Sequence, residues 1–396
     1  MQPQQNSLWS KDFTLFWLTN FLMAVGFYFL LPTIPFYAVK VLGADESQVG
    51  YIIGIYTLSA LAIRPLAGYA LDSMGRRKIY LWAMAVFGLL IGTYYFATSL
   101  IILLVLRLIH GFSWGVTTTG GGTIVADILP PQRRGEGVGY FGLSMNLAMA
   151  IGPGIGLWLM NDNRYAMLFF GSMIMVAMAF LLANLITYPK VPLTKKSLSW
   201  EAFFEKKVAP ASIVMFFTTL VYGGVITFIT LYSQAIGIKN GGLFFLSYSI
   251  ALALVRPLAG KLLDRRGPGL VVTLGFISMI TGFVLLSASQ GLYSFMAAAI
   301  FMGFGYGAVW PTLQTMVINM VEPHRRGVAN STLFSALDLG IAGGSVLLGW
   351  LANFTSMKTM YLISAIIIII PMLYFFLYVA KDYKAKMLLL KDEHHD

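Results

Sequence analysis

Ala62-Ile-Arg64-Pro65-Leu-Ala-Gly68-Tyr-Ala-Leu-Asp72-Ser-Met-Gly75-Arg76 occurs twice in this chain, returning as Leu254-Val-Arg256-Pro257-Leu-Ala-Gly260-Lys-Leu-Leu-Asp264-Arg-Arg-Gly267-Pro268. The offset is 192 residues, from Arg64 to Arg256, and it holds without a gap well outside the segment. Gly111-Phe112 with Gly115 is echoed by Gly303-Phe304 with Gly307, Pro131 by Pro323, Arg133-Arg134-Gly135 by Arg325-Arg326-Gly327, and Trp158 by Trp350. One half of the chain is therefore a diverged copy of the other, and the fold has to be built from one unit used twice.

Composition says where that unit lives. The chain is 58% hydrophobic and 11% charged, with a mean hydropathy of +0.77, whereas about a quarter of the residues of a soluble domain are charged. It reads as a membrane protein. With no cysteine, neither a disulfide nor a thiolate metal site is available. The net charge of +11 would suit nucleic acid if it formed one basic face, but the Lys and Arg sit in short loops between apolar runs, which is a pattern of membrane topology. The polar N-terminus leads into an apolar stretch longer than a signal-peptide core and without an A-x-A site, so it is read as a retained first span.

At about 20 apolar residues per span, the sequence predicts twelve transmembrane helices at 12–38, 48–71, 79–98, 100–128, 136–159, 165–188, 209–234, 242–263, 271–288, 292–320, 329–352 and 358–380. With both termini inside, nineteen Lys and Arg fall in cytoplasmic segments and four (Lys40, Arg164, Lys239, Lys358) in external loops. The positive-inside rule then puts N- and C-termini in the cytoplasm. The domains are an N-terminal six-helix half at 1–188, a cytoplasmic linker at 189–207, a C-terminal half at 208–380 and a cytoplasmic tail at 381–396. The linker carries Lys190, Lys195, Lys196, Glu201, Glu205, Lys206 and Lys207, and Trp200, Phe203 and Phe204 suggest a short amphipathic helix on the inner leaflet. The closing Asp392-Glu393-His394-His395-Asp396 is a weak candidate for a metal; no metal site is expected. Six spans on each side of the linker give the two copies parallel topology about an axis along the membrane normal.

Two six-span halves with a loop signature after spans 2 and 8 resemble the major facilitator superfamily, and the resemblance covers nearly the whole chain. The segment Gly68-x-x-x-Asp72-x-x-Gly75-Arg76-Arg77-Lys78 is similar to that family's signature between spans 2 and 3. Gly68 removes a side chain so that span 2 can approach a neighbour. The resemblance brings Asp72 beside the start of span 11, near Asn330 and Ser331, where a carboxylate meets the positive end of a helix dipole, worth about 0.3–1 kcal/mol. It implies a latch between halves, formed by Gly68, Asp72, Gly75, Arg76 and Arg77 and repeated at Arg256, Gly260 and Asp264. The alternative is a charge cluster that only faces inward.

Arg107-x-x-x-Gly111-x-x-x-Gly115 in span 4 is similar to the family's proton-linked motif. An arginine in the hydrocarbon costs about 2.5–3.5 kcal/mol on insertion scales and should face a partner or a wet cavity. His110 is three residues on and titrates near neutral pH when unperturbed. The alternatives are an Arg107 that snorkels outward and a His110 that is a satisfied buried imidazole. In span 5, Gly139 and Gly152-Pro153-Gly154-Ile155-Gly156 resemble the signature of the family's exporting antiporters, with departures at Ala148 and Leu157. Pro153 frees a carbonyl, and the glycines are expected to pack against the other half; a generic small-residue packing helix is the alternative.

Asp338 in span 11 is the one acidic residue well inside a span, and its repeat counterpart is Asn146. Arg64 lies about eight residues deep in span 2 and Asp338 about nine deep in span 11, each near 12 Å at 1.5 Å per residue. The resemblance makes these spans neighbours, so an Arg64–Asp338 ion pair is expected, with a carboxylate whose proton affinity changes as the pair opens. A permanently closed structural pair is the alternative. Span 1 carries no acidic residue, unlike many drug/proton antiporters of the family. Asp127 reads as an interface cap.

By resemblance the cavity is lined from spans 1, 4, 7 and 10, with candidate contacts Asn20, Phe27, Trp114, Thr118, Tyr222, Tyr306, Trp310 and Gln314, to which Asn146 is added. Such an aromatic, weakly polar site suits amphipathic or cationic small molecules; the same side chains would also serve as packing or lipid-facing residues. Glycine clusters at Gly120-Gly121-Gly122 and Gly303-x-Gly305-x-Gly307 lie inside apolar helices without a preceding strand or a P-loop lysine, so no nucleotide, cofactor or enzyme chemistry is expected. The expectation is a monomeric, proton-coupled exporter of small molecules in the inner (plasma) membrane, binding protons, substrate and lipid but no nucleic acid. An importer of a small metabolite and a flippase for a lipid-linked molecule are the rival readings.

Overall fold

The computed structural model describes residues 7–44, 46–160, 164–193, 203–238 and 241–385. Among them are twelve long helices and no strand: α1 Lys11–Lys40, α2 Glu46–Met74, α3 Arg76–Thr93, α4 Leu100–Ile128, α5 Arg134–Met160, α6 Tyr165–Asn184, α7 Ala209–Ala235, α8 Gly242–Arg266, α9 Pro268–Ser287, α10 Leu292–Asn319, α11 Arg326–Phe354 and α12 Met357–Tyr374. Eleven stretches of the described chain are long and apolar enough to cross a membrane, and α2 is the further long helix. All twelve expected spans are present as helices. The helices outrun the apolar runs at many ends because caps and charged turns extend them: Ser10 caps α1 through Phe13 N–H, and Ser99 caps α4 through Ile102 N–H. The extra turns put Arg64 ten residues from the end of α2 and Asp338 twelve from the start of α11, about 15 and 18 Å along their own helices, deeper than the sequence estimate.

The chain divides into two compact units, with one break at 204/205 inside the linker and two short stretches exchanged between the halves of the sequence. Unit 1 is 1–130 and 140–204 together with 323–331; unit 2 is 131–139, 205–322 and 332–396. The stretch 131–139, a 3-10 turn and the first six residues of α5, belongs to unit 2, and 323–331, a 3-10 turn and the first six residues of α11, belongs to unit 1. Of the linker, Phe203 is described and its ring meets Tyr69 at 5.8 Å; the expected amphipathic helix through Trp200, with Lys195, Lys196 and Glu201, lies outside the described residues, as do Lys239 and the tail from Asp392 to Asp396.

Within each unit the repeat builds the same crossing. In unit 1, Gly115 brings α4 against α2, where a Cβ would come within 2.5 Å of Ala60 O. In unit 2, Gly307 at the repeat-equivalent position lays α10 on α8, with Leu252 O 3.1 Å from where a Cβ would be. Gly111 and Gly303 do likewise against Tyr56 and Tyr248, themselves repeat counterparts. In lipid there is no hydrophobic drive between helices, so close backbone approach through small residues does this work.

Candidate functional site

The repeated carboxylates each grip the start of another helix. Asp72, at the end of α2, accepts from Gly327 N–H at 3.0 Å and from Val328 N–H at 2.9 Å, one on each oxygen. Asp264, at the end of α8, accepts from Gly135 N–H at 2.9 Å and Glu136 N–H at 3.0 Å. These are the first-turn donors that a helix leaves unpaired, so each aspartate acts as a remote N-cap for α11 or α5. The donors to Asp72 are about one turn earlier than the Asn330 and Ser331 the sequence suggested, because α11 begins before its apolar run. Ser331 instead lies against Gly68, and its hydroxyl donates to Arg64 O.

Glycines permit the approach. A Cβ on Gly68 would lie 2.6 Å from Ser331 Cβ and 2.8 Å from Gly327 O, and one on Gly260 would lie 2.5 Å from Gly135 O. Gly75 has φ +96° and makes the turn from α2 into α3, a conformation that L side chains rarely adopt.

Unit 1 adds a charge network around its clip. Arg76 reaches Asp72 at 3.0 Å and Asp127 at 2.9 Å and also donates to Leu71 O and Pro323 O; Arg326 reaches the other Asp127 oxygen at 2.6 Å. Asp127 therefore bridges two guanidiniums. In unit 2, Pro268 stands where Arg76 does and Asn319 where Asp127 does, and Arg134 donates to the Asn319 amide oxygen. Charge there is carried by Glu136, paired with Arg133 at 2.7 Å and Lys261 at 3.5 Å. Arg77 is exposed and lies 6.0 Å from the Tyr188 ring. Arg326 was visible beforehand as the echo of Arg134; its carboxylate partner was not.

Arg107 is buried in unit 1, with its guanidinium 4.7 Å from the Tyr56 ring centroid and 5.8 Å from that of Tyr94. It does not snorkel. Its Nε and Nη1 have no hydrogen-bond partner, and neither do His110 Nε2 and the Tyr56 hydroxyl. His110 Nδ1 pairs with the Tyr94 hydroxyl at 2.6 Å, and its ring packs on Phe87 at 4.2 Å. Unit 2 has Ala299, Met302 and Leu286 at the positions of Arg107, His110 and Tyr94, all fully buried. The repeat thus packs without the polar groups of Arg107, His110 and Tyr94, while Tyr56 is kept as Tyr248. Tyr94 and Tyr56 were missed from sequence because they come from other elements, to which no helical spacing points.

The remaining candidates divide between the units. In unit 1, Phe27 stacks on Trp114 at 4.3 Å, Asn20 donates to Ser144 Oγ at 2.7 Å, and Arg64 donates to Thr118 and Thr119 at 3.1 and 3.2 Å. Asn146 is half-buried, and its amide nitrogen lacks a partner. In unit 2, Tyr222 meets Tyr306 at 5.0 Å and Trp310 at 5.4 Å, Trp310 Nε1 has no acceptor, and Gln314 is half-buried. Trp114 and Tyr306 occupy equivalent repeat positions. Arg64 is a residue of unit 1 and Asp338, half-buried, of unit 2; Arg256 is a buried residue of unit 2 whose backbone meets Gly139.

One expectation needs correction. Gly152 and Gly156, which flank Pro153, were assigned to packing against the other half, but they close on α1 in their own unit: a Cβ on Gly152 would meet Tyr28 Cβ at 2.5 Å and one on Gly156 would meet Phe29 Cα at 2.7 Å. Gly154 faces open space. Small residues announce a close contact without naming the partner, and here the nearest helix supplies it. Among the described residues no group of three His, Cys, Asp or Glu could hold a metal ion.

The family model described as Major Facilitator Superfamily matches residues 16–247 and 239–394. Curated relatives include the staphylopine export protein of Staphylococcus aureus, 25% identical over 351 residues and covering 85% of this chain and 88% of that protein. An uncharacterised MFS-type transporter of Methanocaldococcus jannaschii is 24% identical, covering 91% and 96%. Among solved structures, the human organic anion transporter MFSD10 matches with a TM-score of 0.81 at 18% identity, over 94% of this chain and 100% of that one. The proton:xylose symporter XylE matches with a TM-score of 0.77 at 12% identity, over 93% and 95%.

Proposed function

Because the chain belongs to the major facilitator superfamily, membrane proteins that carry small-molecule substrates, we propose that it is a proton-coupled secondary exporter of small amphipathic or cationic molecules, working by alternating access. The observation that carries this reading is the polar cluster of Arg107, His110, Tyr94 and Tyr56. The equivalent positions of the first three in the other copy are apolar, so packing does not require their polarity, and burying unpartnered donors costs about 1–3 kcal/mol each. Such a cost is retained where it serves protons or substrate. Asp338 is the proposed proton carrier, being, among the described residues, the one carboxylate far from either end of its helix.

Export is favoured by the span 5 signature and by similarity to a protein named for staphylopine export. Phe27 on Trp114 in one unit and Tyr222 with Tyr306 and Trp310 in the other offer ring faces suited to a flat, amphipathic or cationic cargo. The two aspartate clips are contacts that could be made or lost as wholes, as a switch between outward and inward states requires. The protein is proposed to act as a monomer in the plasma membrane with both termini in the cytoplasm.

The test is a growth panel in an efflux-deficient bacterial strain expressing the wild type or Asp338→Asn, with accumulation of any protective hit followed with and without a proton uncoupler. Protection that needs Asp338 and collapses with the uncoupler is the expected result. A labelled solute accumulating inside in place of being extruded would overturn export in favour of import, and transport confined to a membrane-resident substrate would favour a flippase.

A further inference from the structure

A second site lies in unit 1, apart from the Arg107 cluster and Asp338. The turn from α2 into α3, the first turns of α3 and the stretch 188–193 after α6 enclose an open groove of about 630 Å³. Among the described residues its lining holds four cations, Arg76, Arg77, Lys78 and Lys190, and no carboxylate. Arg76 is spent on Asp72 and Asp127. Arg77, Lys78 and Lys190 are exposed, and among the described residues none has an acidic partner; the recorded neighbour of Arg77 is the ring of Tyr188. Like charges gathered without a counter-ion are self-repelling unless an anion joins them.

Two further features narrow the anion. Gly75 gives α3 no side-chain cap, and the first turn of α3 has no acidic residue, so its free N–H groups add a positive pole to the cationic wall. The other wall is apolar and open: Trp82 is 67% and Leu193 53% exposed. A soluble anion would have no use for an exposed tryptophan one to two turns into a membrane-spanning helix, whereas Trp is the residue of the bilayer interface. The excess of Lys and Arg assigns this face to the cytoplasm, where basic clusters beside spans attract anionic lipid at about 1 kcal/mol per Lys or Arg.

We propose that this groove binds an anionic phospholipid, its phosphate held by Arg77, Lys78 and Lys190 and its acyl chain laid along Trp82 and Leu193. The site is independent of transport direction and of the proton carrier. At the same turn Arg76 enters the Asp72–Asp127 network, so an occupied groove ties the clip of unit 1 to the lipid beside it.

The full chain, purified and delipidated in detergent, is titrated with dioleoyl phosphatidylglycerol, dioleoyl phosphatidylcholine or inorganic phosphate, with bound lipid read by native mass spectrometry and stability by thermal unfolding. The expected result is phosphatidylglycerol adducts and a raised Tm, no matching effect from phosphatidylcholine or phosphate, and at least tenfold weaker phosphatidylglycerol binding by the Arg77→Gln/Lys78→Gln/Lys190→Gln variant. Equal binding by variant and wild type, or equal binding of the two lipids, overturns the proposal; an equal shift with phosphate overturns the lipid in favour of a soluble anion. Should the triple variant not fold, photoactivatable phosphatidylglycerol on the wild type decides: cross-links within 74–82 and 188–193 support the site, and cross-links only elsewhere overturn it.

Discussion

His110 and Arg107 are polar where the duplicated chain shows that polarity is unnecessary. Exchanging buried polar groups for apolar residues that already fit the same packing is neutral to stabilising, by up to about 1–4 kcal/mol for ionic clusters. The Tyr94→Leu/Arg107→Ala/His110→Met variant, which copies unit 2 into unit 1, should therefore unfold at the wild-type temperature or above it while losing uncoupler-sensitive transport. A lower Tm with transport intact would make the cluster structural. Asp127 predicts the opposite pattern. It faces Arg76 and Arg326 together, and Asp127→Ala removes that carboxylate from both guanidiniums, leaving Arg76 with Asp72 alone, so stability should fall by about 3–5 kcal/mol in thermal unfolding. Arg107 and His110 were legible because charge in an apolar run is conspicuous in sequence. Tyr56 was not, since a tyrosine among twenty looks like any other until α2 is laid on α4.

Helix ends carry the next level of the argument. Asp72 and Asp264 are side chains of one helix that complete the hydrogen bonding of another. Asp72→Asn keeps the shape but leaves one acceptor oxygen for two amides and removes the charge. Hydrogen bonds to charged groups are worth about 1.5–3 kcal/mol, so the Gly327 and Val328 amides should exchange with solvent roughly ten- to a hundredfold faster, read by hydrogen–deuterium exchange. Unchanged exchange there would mean that water or another group caps α11. Gly260→Val should be worse for the unit 2 clip than Asp264→Asn, because the close backbone of Gly135 and Glu136 leaves the branched side chain nowhere to go; loss of transport with normal membrane insertion, judged by expression and protease protection, is the expected outcome. The apolar runs located every element, and their ends were misjudged where Ser caps and charged turns carry a helix past the hydrocarbon. Gly152 and Gly156 were misassigned for a different reason, since a small-residue face is equally suited to any neighbour.

At the scale of the molecule, the 192-residue repeat was legible in full because it is a property of the sequence alone, whereas the exchange of 131–139 and 323–331 between the units was not, because nothing in those stretches says which unit they will pack with. The charge bias makes one further prediction for the chain as a whole: green fluorescent protein fused after the last residue should fluoresce, and alkaline phosphatase fused after Lys40 or Arg164 should be active. The reverse pattern would invert the topology and move the proposed lipid groove to the other leaflet. The two clips also differ in when they can first exist. Gly135 is made 129 residues before Asp264, so its partner is waiting as α8 emerges. Asp72 precedes Gly327 by 255 residues, which at 5–20 residues per second is a delay of about 13–51 s. During that interval Asp72 must sit beside the membrane without the amides that will hold it, and the newborn protein passes through a stage in which one clip is closed and its counterpart has yet to be synthesised.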